Sequence, residues 1–444
     1  MNFVRTTRRV LIAAASVSAL LLAAACGGGG GNSGGGGGGG GSAAADWTKQ
    51  GDTEFWAGKD TSGFTQKLID AFNAQHPNGK VTFHELSAKA DEQRQQMIQN
   101  TQIKNPKMGI LSMDVVWTSE FAAKGYVEAL PSDVSTAGML KPPVDAATYF
   151  NKLYGLPTSS DGGLLYYRTD LLKKYNIDKP PTTFDEMKSD CETILKGENN
   201  SKLSCFAGQY NKYEGLTCNF DEAVHGAGGV IVGDDGKPNV ATPEAAKGLQ
   251  TLADWFKDGL IPKAAITWQE EEGRTAFQHG ELIFHRNWGY VYAHGTNDKD
   301  SVIKGKFDAA ALPGISGPGV STLGGHSMAV GKYADNKGTA LDFMKFASTP
   351  AIQKQQALEV TTTPVTEETY KDSEVLKKFP FFTAELASVQ SAKPRPKAVE
   401  YGDVTLALQD AAYGVLQDGA NGKTADAAAA LQALQTKLQT LIKS

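Results

Sequence analysis

The sequence predicts an α/β protein built on mainly parallel sheets, and three observations support that prediction. From Glu54 onward, short apolar strands alternate with amphipathic helical stretches, which is typical of βαβ units. A second alternation of the same kind begins at Tyr154. The chain has 444 residues, and the roughly 400 that follow an N-terminal leader and linker suffice for two domains of ordinary size.

The first alternation starts with the strand EFW at Glu54. Apolar residues at helical spacing predict a helix over 64–72, and the strand KVTFHEL, the polar helix ADEQRQQMIQNTQ and the strand ILSMDVVW follow. Ligands of parallel sheets bind at the carboxyl ends of the strands. Residues 58–61 and 114–117 are therefore candidate ligand residues on this pattern alone.

The second alternation runs from the segment YGLPTSSDGG, rich in turn residues, into the strand and helix of LLYYRTDLLKKY. We expect it to continue through FAGQ, VIVGDDGKPNV and ELIFHRNW. The tail from Asp426 carries leucines at helical spacing and is predicted to pack on a core. The alternative, a coiled-coil helix, needs more heptads than the tail supplies.

The N-terminus has the order of parts of a secretory signal peptide over residues 1–25. Arg5, Arg8 and Arg9 precede an uncharged apolar run that ends in small residues at Cys26. That run is somewhat short for a membrane span, which needs about 20 residues. Its end resembles the lipobox of bacterial lipoproteins, so Cys26 is predicted to become the lipidated N-terminus. An ordinary secreted protein is the alternative, and both general secretory and twin-arginine export remain open.

Residues 27–42 are almost pure glycine, so 26–45 is predicted to be a flexible linker that spans about 20–25 Å r.m.s.. Loss of residues 1–25 removes three arginines and no acidic residue, which changes the formal net charge from −5 to −8. An acidic chain is unsuited to nucleic acid, which needs a basic surface. We expect a protein anchored to the outer face of the cell membrane through its lipid only.

Three cysteines lie beyond Cys26, namely Cys191, Cys205 and Cys218. In an oxidising compartment they allow one disulfide and one free thiol, and three pairings are possible. We expect Cys191 to pair with Cys205, because the first lies late in a predicted helix and the second opens the next strand. Cys218 would then be a buried thiol. A zinc site is the alternative, but C-x-x-C is absent.

Several blocks resemble, in order along the chain, family 1 extracellular solute-binding proteins of ABC importers, especially the maltose and trehalose type. The blocks are DVVWTSEFAAKGYVEALP, YGLPTSSDGGLLYYRTDLL, GQYNKYEGLTCNF, AFQHGELIFHRNWGYVY, STLGGHSMAVG, ALDFMKFASTP, TTTPV and PRPKAVEYGDV. The resemblance implies a type II periplasmic-binding-protein fold, maltose-binding-protein-like, in which two α/β lobes joined by a hinge enclose a ligand cleft. By that analogy the N-terminal lobe comprises 46–157 plus 318–360, and the C-terminal lobe 158–317 plus 361–444.

The implied function is capture of a disaccharide or short oligosaccharide, in particular an α-glucoside such as trehalose or maltose. The ligand is then delivered to the transmembrane permease subunits of an ABC transporter. The resemblance implies a monomer that is not an enzyme and needs no cofactor or metal.

Sugars present hydroxyl groups and apolar CH faces, so their sites combine carboxylates, planar donors and aromatic rings. At matching positions the resemblance places Asp114 and Asp161 as hydroxyl acceptors, Arg395 as a donor and Trp288 as the stacking ring. Each has a structural alternative: a cap or turn for the aspartates, a core position for Trp288 and an ion pair for Arg395. The full set of expected ligand residues is Asp60, Thr61, Asp114, Trp117, Ser159, Asp161, Tyr213, Glu214, Trp288, Gly324, Gly325, His326 and Arg395.

His326 stands where relatives often carry tryptophan, and this departure leaves the identity of the sugar open. Arg94, in the polar helix, is expected only on the surface or at the rim of the site. The remaining alternatives are a binding protein for a non-sugar solute or an extracellular glycoside hydrolase, which needs two carboxylates flanking the scissile bond. The run of glutamates at 270–272 is more typical of a solvated helix start. A metal-capturing protein is disfavoured because Tyr166 and Tyr167, adjacent on a strand, point to opposite faces.

Overall fold

Two large β-sheets and a third sheet of only two strands organise residues 45–442, the part of the chain that this computed structural model describes. The predicted signal peptide, Cys26 and the glycine-rich stretch lie outside the described residues. The strands are β1 (Thr53–Ala57), β2 (Val81–Glu85), β3 (Met108–Asp114), β4 (Thr148–Tyr149), β5 (Lys152–Leu153), β6 (Leu156–Pro157), β7 (Leu164–Arg168), β8 (Ser204–Ala207), β9 (Leu282–Asn287), β10 (Phe307–Ala311) and β11 (His326–Val330). The helices are α1 (Phe64–Gln75), α2 (Ala90–Gln102), α3 (Thr118–Ala123), α4 (Lys141–Ala146), α5 (Thr169–Lys174), α6 (Phe184–Glu198), α7 (Glu214–Gly226), α8 (Pro243–Lys257), α9 (Glu270–Gln278), α10 (Val291–Asn297), α11 (Lys337–Ala347), α12 (Pro350–Val360), α13 (Glu367–Tyr370), α14 (Ser373–Lys378), α15 (Phe382–Ser391), α16 (Tyr401–Ala420) and α17 (Ala427–Leu441), with short 3-10 helices at Val115–Trp117 and Lys263–Thr267.

The first sheet has five strands in the order β2-β1-β3-β11-β6. β1 pairs in parallel with β2 and β3, as the alternation of strands and helices predicts, and β11 is antiparallel to β3 and β6. Successive residues of a strand point to opposite faces of the sheet. Phe55 accordingly packs with Phe72 and Phe343 on one face, whereas Trp56 packs with Phe121 on the other. Helices α1 and α11 cover the first face, and α3 covers the second.

The second sheet has four strands in the order β10-β7-β9-β8 and is mixed. β7 is antiparallel to β10 and β9, while β8 and β9 are parallel. The prediction of mainly parallel sheets is wrong here, because an apolar pattern marks a strand without fixing its direction. The predicted strand in VIVGDDGKPNV is also wrong, because the segment turns at Gly236 (φ 76°) and forms only an isolated bridge between Val232 and Pro238.

The strands of the first sheet fall within 46–157 and 318–360, and those of the second within 158–317. By their mutual contacts the residues from 45 onward form one compact unit, so the exact lobe boundaries stay a prediction. None of the helices between residues 45 and 442 is long and apolar enough to cross a membrane.

The two cysteines expected to pair do so. Cys191, on α6, and Cys205, on β8, form a disulfide that fastens the helix to the sheet. Cys218, on α7, is buried as a free thiol.

The C-terminal helix α17 packs on the core, as its leucine spacing predicts. Leu431, Leu434 and Leu438 are buried in the main hydrophobic cluster of the second sheet. Helix α17 lies against α16 and α8, so its apolar stripe is fully used within the chain.

Thr183 is the N-cap of α6, the helix that carries Cys191. Its Oγ1 accepts a hydrogen bond from the Glu186 N–H at 3.1 Å. We expect Thr183→Ala to lower the free energy of unfolding by about 1 kcal/mol, the usual contribution of such a cap. Urea unfolding measures the loss. Thr193→Ala, at an exposed interior position of the same helix, is the matched control, and an equal effect of the two substitutions would contradict the capping role.

Candidate ligand-binding site

Asp114 and Arg395 form a buried ion pair between the two sheets. Asp114 ends β3, and its Oδ1 caps the following 3-10 helix by accepting the Val116 N–H at 3.1 Å. The same oxygen accepts Arg395 Nη2 at 2.6 Å, and Oδ2 lies 3.4 Å from Nη1. Arg395 is only 3% exposed. The two groups predicted to bind sugar hydroxyls therefore bind each other. The helix cap and the ion pair, which were the structural alternatives for Asp114 and Arg395, are both present.

Glu214, the first residue of α7, shares the same guanidinium. Arg395 Nη1 donates to Glu214 Oε1 at 2.6 Å, and the Tyr401 hydroxyl donates to that oxygen as well. Thr405 Oγ1 donates to Oε2 at 2.8 Å. Burial raises the pKa of Glu214 to about 7, against the opposing charge of Arg395 and with a further contribution from Asp114. The carboxylate is thus fully occupied by protein donors.

Asp161 lies at the crossing between the sheets, next to the backbone of Gly324. Gly324 N donates to the Asp161 carbonyl at 2.8 Å, and Asp161 N donates back at 3.2 Å. The Thr363 hydroxyl donates to Oδ1, while Oδ2 accepts no hydrogen bond from the described residues. Burial raises the pKa of Asp161, and the Thr363 hydroxyl acts in the opposite direction. One carboxylate oxygen therefore remains available to a ligand.

Trp288 follows β9 and is held firmly on one side. The Arg286 guanidinium stacks on its ring at 3.8 Å from the centroid. Its backbone is fixed as well, because Trp288 N donates to Asn287 Oδ1 at 2.8 Å and its carbonyl accepts the Tyr166 hydroxyl at 2.7 Å. The residue is partly exposed, so the ring is oriented from behind with surface left for a ligand.

Gly324 lies in close contact with this ring. A Cβ at Gly324 would lie 3.0 Å from Trp288 Cζ3 and 3.3 Å from Asp161 Cβ. Any side chain there would push apart the aromatic ring and the carboxylate. Gly325 adopts φ 106°, a conformation that favours glycine.

His326 opens β11 directly opposite Asp114 on β3. Its backbone N–H donates to Ser159 Oγ at 3.0 Å, so the buried Ser159 fixes the start of the strand. The imidazole is exposed and makes no hydrogen bond within the part of the chain that the structure describes. Since cross-strand neighbours share a face, His326 stands beside Asp114 with both ring nitrogens available.

Four expected ligand residues make no hydrogen bond to this group within residues 45–442. Asp60 accepts the N–H groups of Ser62, Gly63 and Thr65 and so organises the start of α1, with Thr61 exposed beside it. Trp117 is 2% exposed and stacks on Phe121 in the core, because the 3-10 turn directs it inward. Tyr213 is 5% exposed, and its hydroxyl is buried without a partner among residues 45–442.

Arg94 is mostly buried, so of its two expected positions, on the surface or at the rim of the site, the first is wrong. Its Nε donates to the buried Glu120 at 2.8 Å, and its side chain is 13% exposed. Arg94 reaches α3 from a helix whose Glu92, Gln95 and Gln99 are exposed to solvent, so hydrophobic periodicity could not show this contact.

The ion pair of Arg286 with Glu222, behind Trp288, was not predicted from the sequence. Arg286 donates to Glu222 through Nε at 2.7 Å and to Gln209 Oε1 at 2.9 Å. The spacing of Arg286 and Trp288, two residues apart at the end of a strand, places both on one face and could have revealed it. Tyr401 and Thr405, which hold Glu214, lie one helical turn apart on α16, but nothing local in their sequence points to Glu214.

Two small cavities border these residues. One of about 30 Å³ is lined by residues including Tyr210, Glu222 and Arg286, and one of about 20 Å³ by residues including Val116 and Arg395. Such volumes suit one or two water molecules rather than a sugar ring. The site is therefore defined by its polar and aromatic groups. No group of three or more metal-ligating side chains occurs between residues 45 and 442.

His285, behind Trp288, provides a pH-dependent prediction. Its Nδ1 donates to the Ala207 carbonyl at 3.0 Å, and its Nε2 accepts from Asn287 at 2.9 Å. Burial lowers the pKa of His285 to about 3. Because the unfolded chain binds this proton near pH 6.5 and the folded chain does not, stability falls as the pH drops from 6.5 toward 3, by about 1.4 kcal/mol per pH unit.

His285→Gln is expected to remove this contribution. The variant should lose about 1.4 kcal/mol less than the parent between pH 6 and pH 5, as measured by urea unfolding at each pH. Parallel stability curves for the two proteins would show that the imidazole is protonated equally in both states.

The two sheets, the cross-sheet ion pairs and the aromatic ring beside a free carboxylate oxygen define a ligand-binding protein of the periplasmic-binding-protein class. The chain belongs to the bacterial extracellular solute-binding protein family, whose model matches residues 57–354. A probable ABC transporter-binding protein of Deinococcus radiodurans is 34% identical over 84% of this chain and 86% of its own length. The maltotriose-binding protein of Pyrococcus abyssi is 26% identical over 84% of this chain and 78% of its own.

Solved structures agree with this assignment. Maltose-bound MalE3 of T. maritima has a TM-score of 0.82 and 28% identity, covering 88% of this chain and 99% of that one. The GacH receptor of Streptomyces glaucescens, at 19% identity and a TM-score of 0.76 over 88% of this chain and 99% of its own, shares the fold. The predicted family and the maltose-binding-protein-like α/β fold are thereby confirmed.

Proposed function

We propose that this chain is the sugar-binding lipoprotein of an ABC importer. It captures a disaccharide or short oligosaccharide, in particular an α-glucoside, and delivers it to the permease subunits. The observation that carries the proposal is the pairing of Trp288 with Asp161, because an oriented aromatic face beside a free carboxylate oxygen matches a sugar ring. The maltose and maltotriose ligands named for two relatives support an α-glucoside.

Within this proposal the site residues divide into two groups. Trp288 covers a ring, and Asp161 and His326 bond its hydroxyls. Asp114 and Arg395 form the floor between the lobes and reach the ligand through the edge of Asp114, whose side chain is 13% exposed. Binding draws the two lobes together, with hinge segments near the boundaries predicted from the sequence.

In this proposal the protein binds the sugar and cleaves no bond in it. We expect Glu270, Glu271 and Glu272 not to act as the acid and base pair of a hydrolase. Glu272 closes the N-terminus of α9 by accepting the Gln269 N–H at 3.0 Å, and Glu271 pairs with Arg274. A glycosidase needs two carboxylates on opposite sides of one bond, whereas Glu271 and Glu272 serve the helix, and Glu270 is partly buried beside Tyr213 and Arg286 rather than solvated as expected.

A thermal-shift screen of the mature domain tests the proposal. We expect maltose, trehalose or maltotriose to raise the melting temperature, because a ligand that binds only the folded state stabilises it. Amino acids and sulfate serve as controls. Chromatography after prolonged incubation should recover the sugar intact. Released glucose, or stabilisation by a non-sugar solute alone, would contradict the proposal.

The lipid anchor is tested separately. In a lipoprotein-processing host, the full chain is expected in the membrane fraction, and Cys26→Ser is expected to release it or leave it unprocessed. Equal membrane association of the two forms, measured after carbonate washing, would contradict anchoring through Cys26.

A further inference from the structure

The cavity of about 30 Å³ lies between the second sheet and the helices that cover it. Its wall is formed by β8 and β9 of that sheet, by α6, α7 and α8, and by the segment 312–320. Most of the wall is apolar and includes Phe206 and Leu252. Phe184 and Ile315 also line it and are only partly buried, so they mark the side on which the cavity approaches the surface.

Four polar side chains share this wall, namely Tyr210, Asn219, Glu222 and Arg286. Arg286 and Glu222 form an ion pair in which the guanidinium donates through Nε at 2.7 Å and also through Nη2. The Arg286 side chain is 2% exposed and that of Glu222 is 9% exposed. A buried, charged pair therefore borders a cavity whose other walls are largely apolar.

The Tyr210 hydroxyl has no partner in this polar group. Tyr210 is fully buried, and its hydroxyl makes no hydrogen bond to any residue between 45 and 442. The residue is held in place, because its N–H donates to the Trp268 carbonyl at 3.1 Å and its ring packs edge-on against Phe256. Burial raises the pKa of Tyr210, and the charge of Glu222 acts in the same direction. The hydroxyl thus stays protonated, and a buried donor of this kind is costly unless it is hydrogen-bonded.

Asn219 Oδ1 borders the same space as this hydroxyl. A Cβ at Gly208 would collide with Asn219 Oδ1 and would lie 3.3 Å from the Tyr210 hydroxyl oxygen. The two oxygens do not bond each other, and Oδ1 accepts only the Gln209 N–H, at 3.3 Å. A buried water needs roughly 10–15 Å³ and two to four polar partners. Both conditions are met here.

We propose that this cavity is a site for bound water, which joins the Tyr210 hydroxyl to Asn219 and to the Glu222 carboxylate. Tyr210 donates to the water, and the water donates to the carboxylate that holds Arg286. Since Arg286 stacks on Trp288 at 3.8 Å from the ring centroid, Tyr210 is a positioning residue for that ring. The inference goes beyond the proposed function, because it holds whichever solute the protein captures.

A high-resolution crystal structure of the mature domain tests the site directly. We expect an ordered water about 2.5–3.0 Å from the Tyr210 hydroxyl oxygen, and we expect Tyr210→Phe to lose it. A second crystal under xenon pressure provides the contrast, because xenon enters dry apolar cavities. Xenon bound in the cavity, with no ordered water there at ambient pressure, would overturn the proposal.

The stability of Tyr210→Phe distinguishes the two cases by its sign. With water bound, the variant should lower the folding equilibrium constant about fivefold, the usual contribution of one hydrogen bond. A hydroxyl without any partner would give a gain, because its removal relieves an unsatisfied buried group. The control is Tyr370→Phe, whose hydroxyl is equally buried and donates directly to the Ser160 carbonyl at 3.2 Å. Urea unfolding that shows Tyr210→Phe as stable as the parent, or more stable, would overturn the proposal.

Filling the cavity provides a second variant. Ala223 lines it from α7 and is 4% exposed. We expect Ala223→Val to displace water and lower the folding equilibrium constant, and to do so less than half as much in the Tyr210→Phe background. The double-mutant cycle isolates this coupling from simple overpacking. Equal losses in the two backgrounds, or a gain in stability on filling, would overturn the proposal.

The positioning role has its own readout in the NMR signal of the Arg286 Nε–H group, which Arg286→Lys assigns. This group donates to Glu222 at 2.7 Å. We expect Tyr210→Phe to shift the signal and to accelerate its hydrogen exchange at least fivefold, because the carboxylate loses its water. Tyr370→Phe should leave it unchanged. An unaltered Arg286 signal in folded Tyr210→Phe would overturn the link from Tyr210 to Trp288.

Discussion

Replacing Arg395 with methionine is expected to lower the free energy of unfolding by roughly 3–5 kcal/mol, the loss typical of breaking one side of a buried ion pair. Methionine retains much of the side chain's length and removes the charge. Asp114 and Glu214 would then face each other, and Glu214 is 4% exposed. The two carboxylates that Arg395 now neutralises would have to be protonated or solvated.

Urea unfolding at several pH values measures this effect. The loss should be larger at pH 8 than at pH 5, because protonation of Glu214, whose pKa burial raises to about 7, relieves the repulsion as the pH falls. Arg168→Met is the matched control: its partner Asp170 is 34% exposed, and a pair open to water contributes about 0–1 kcal/mol. A loss for Arg395→Met no greater than for Arg168→Met would show that the cross-sheet pairs do not stabilise the fold.

Trp288→Ala is expected to weaken sugar binding between tenfold and a hundredfold. Covering about 100 Å² of ring and sugar surface is worth roughly 2.5 kcal/mol at 25 cal/mol per Å², which is nearly a hundredfold in affinity. Arg286 already occupies one face of the ring, so the whole effect comes from the remaining face. Calorimetry with the best sugar of the thermal-shift screen measures it.

Trp47→Ala is the control for this substitution. Trp47 is also partly exposed but packs on the cluster under the first sheet. Its loss should leave the affinity for sugar unchanged. If Trp288→Ala binds as tightly as the parent while circular dichroism shows an intact fold, the aromatic contact belongs to another residue.

The sequence predicted what is local and periodic. The alternation of strands and helices located β1, β2 and β3, and the leucine spacing predicted the buried face of α17. Strand direction in the second sheet was not predictable, because β7 pairs with β9 and β10 from more than 100 positions further along the chain.

The candidate site follows the same division. Asp161, Trp288 and Gly324 lie together, as the resemblance to solute-binding proteins implies. The two partners of Arg395 were not predictable from the sequence, because Asp114 lies 281 positions and Glu214 181 positions away from it along the chain. The prediction for Trp117 is wrong for a local reason. An aromatic residue after a strand was expected to line a cleft, but the 3-10 turn directs it into the core.

The buried thiol of Cys218 is a natural probe of local opening in this protein. It is the single thiol outside the disulfide among residues 45–442 and is 3% exposed. Burial also raises the pKa of the thiol, which suppresses the reactive thiolate. A thiol reagent therefore modifies Cys218 only when α7 separates from its neighbours. The labelling rate, with and without sugar, reports the free energy of that opening at the element that holds Glu214.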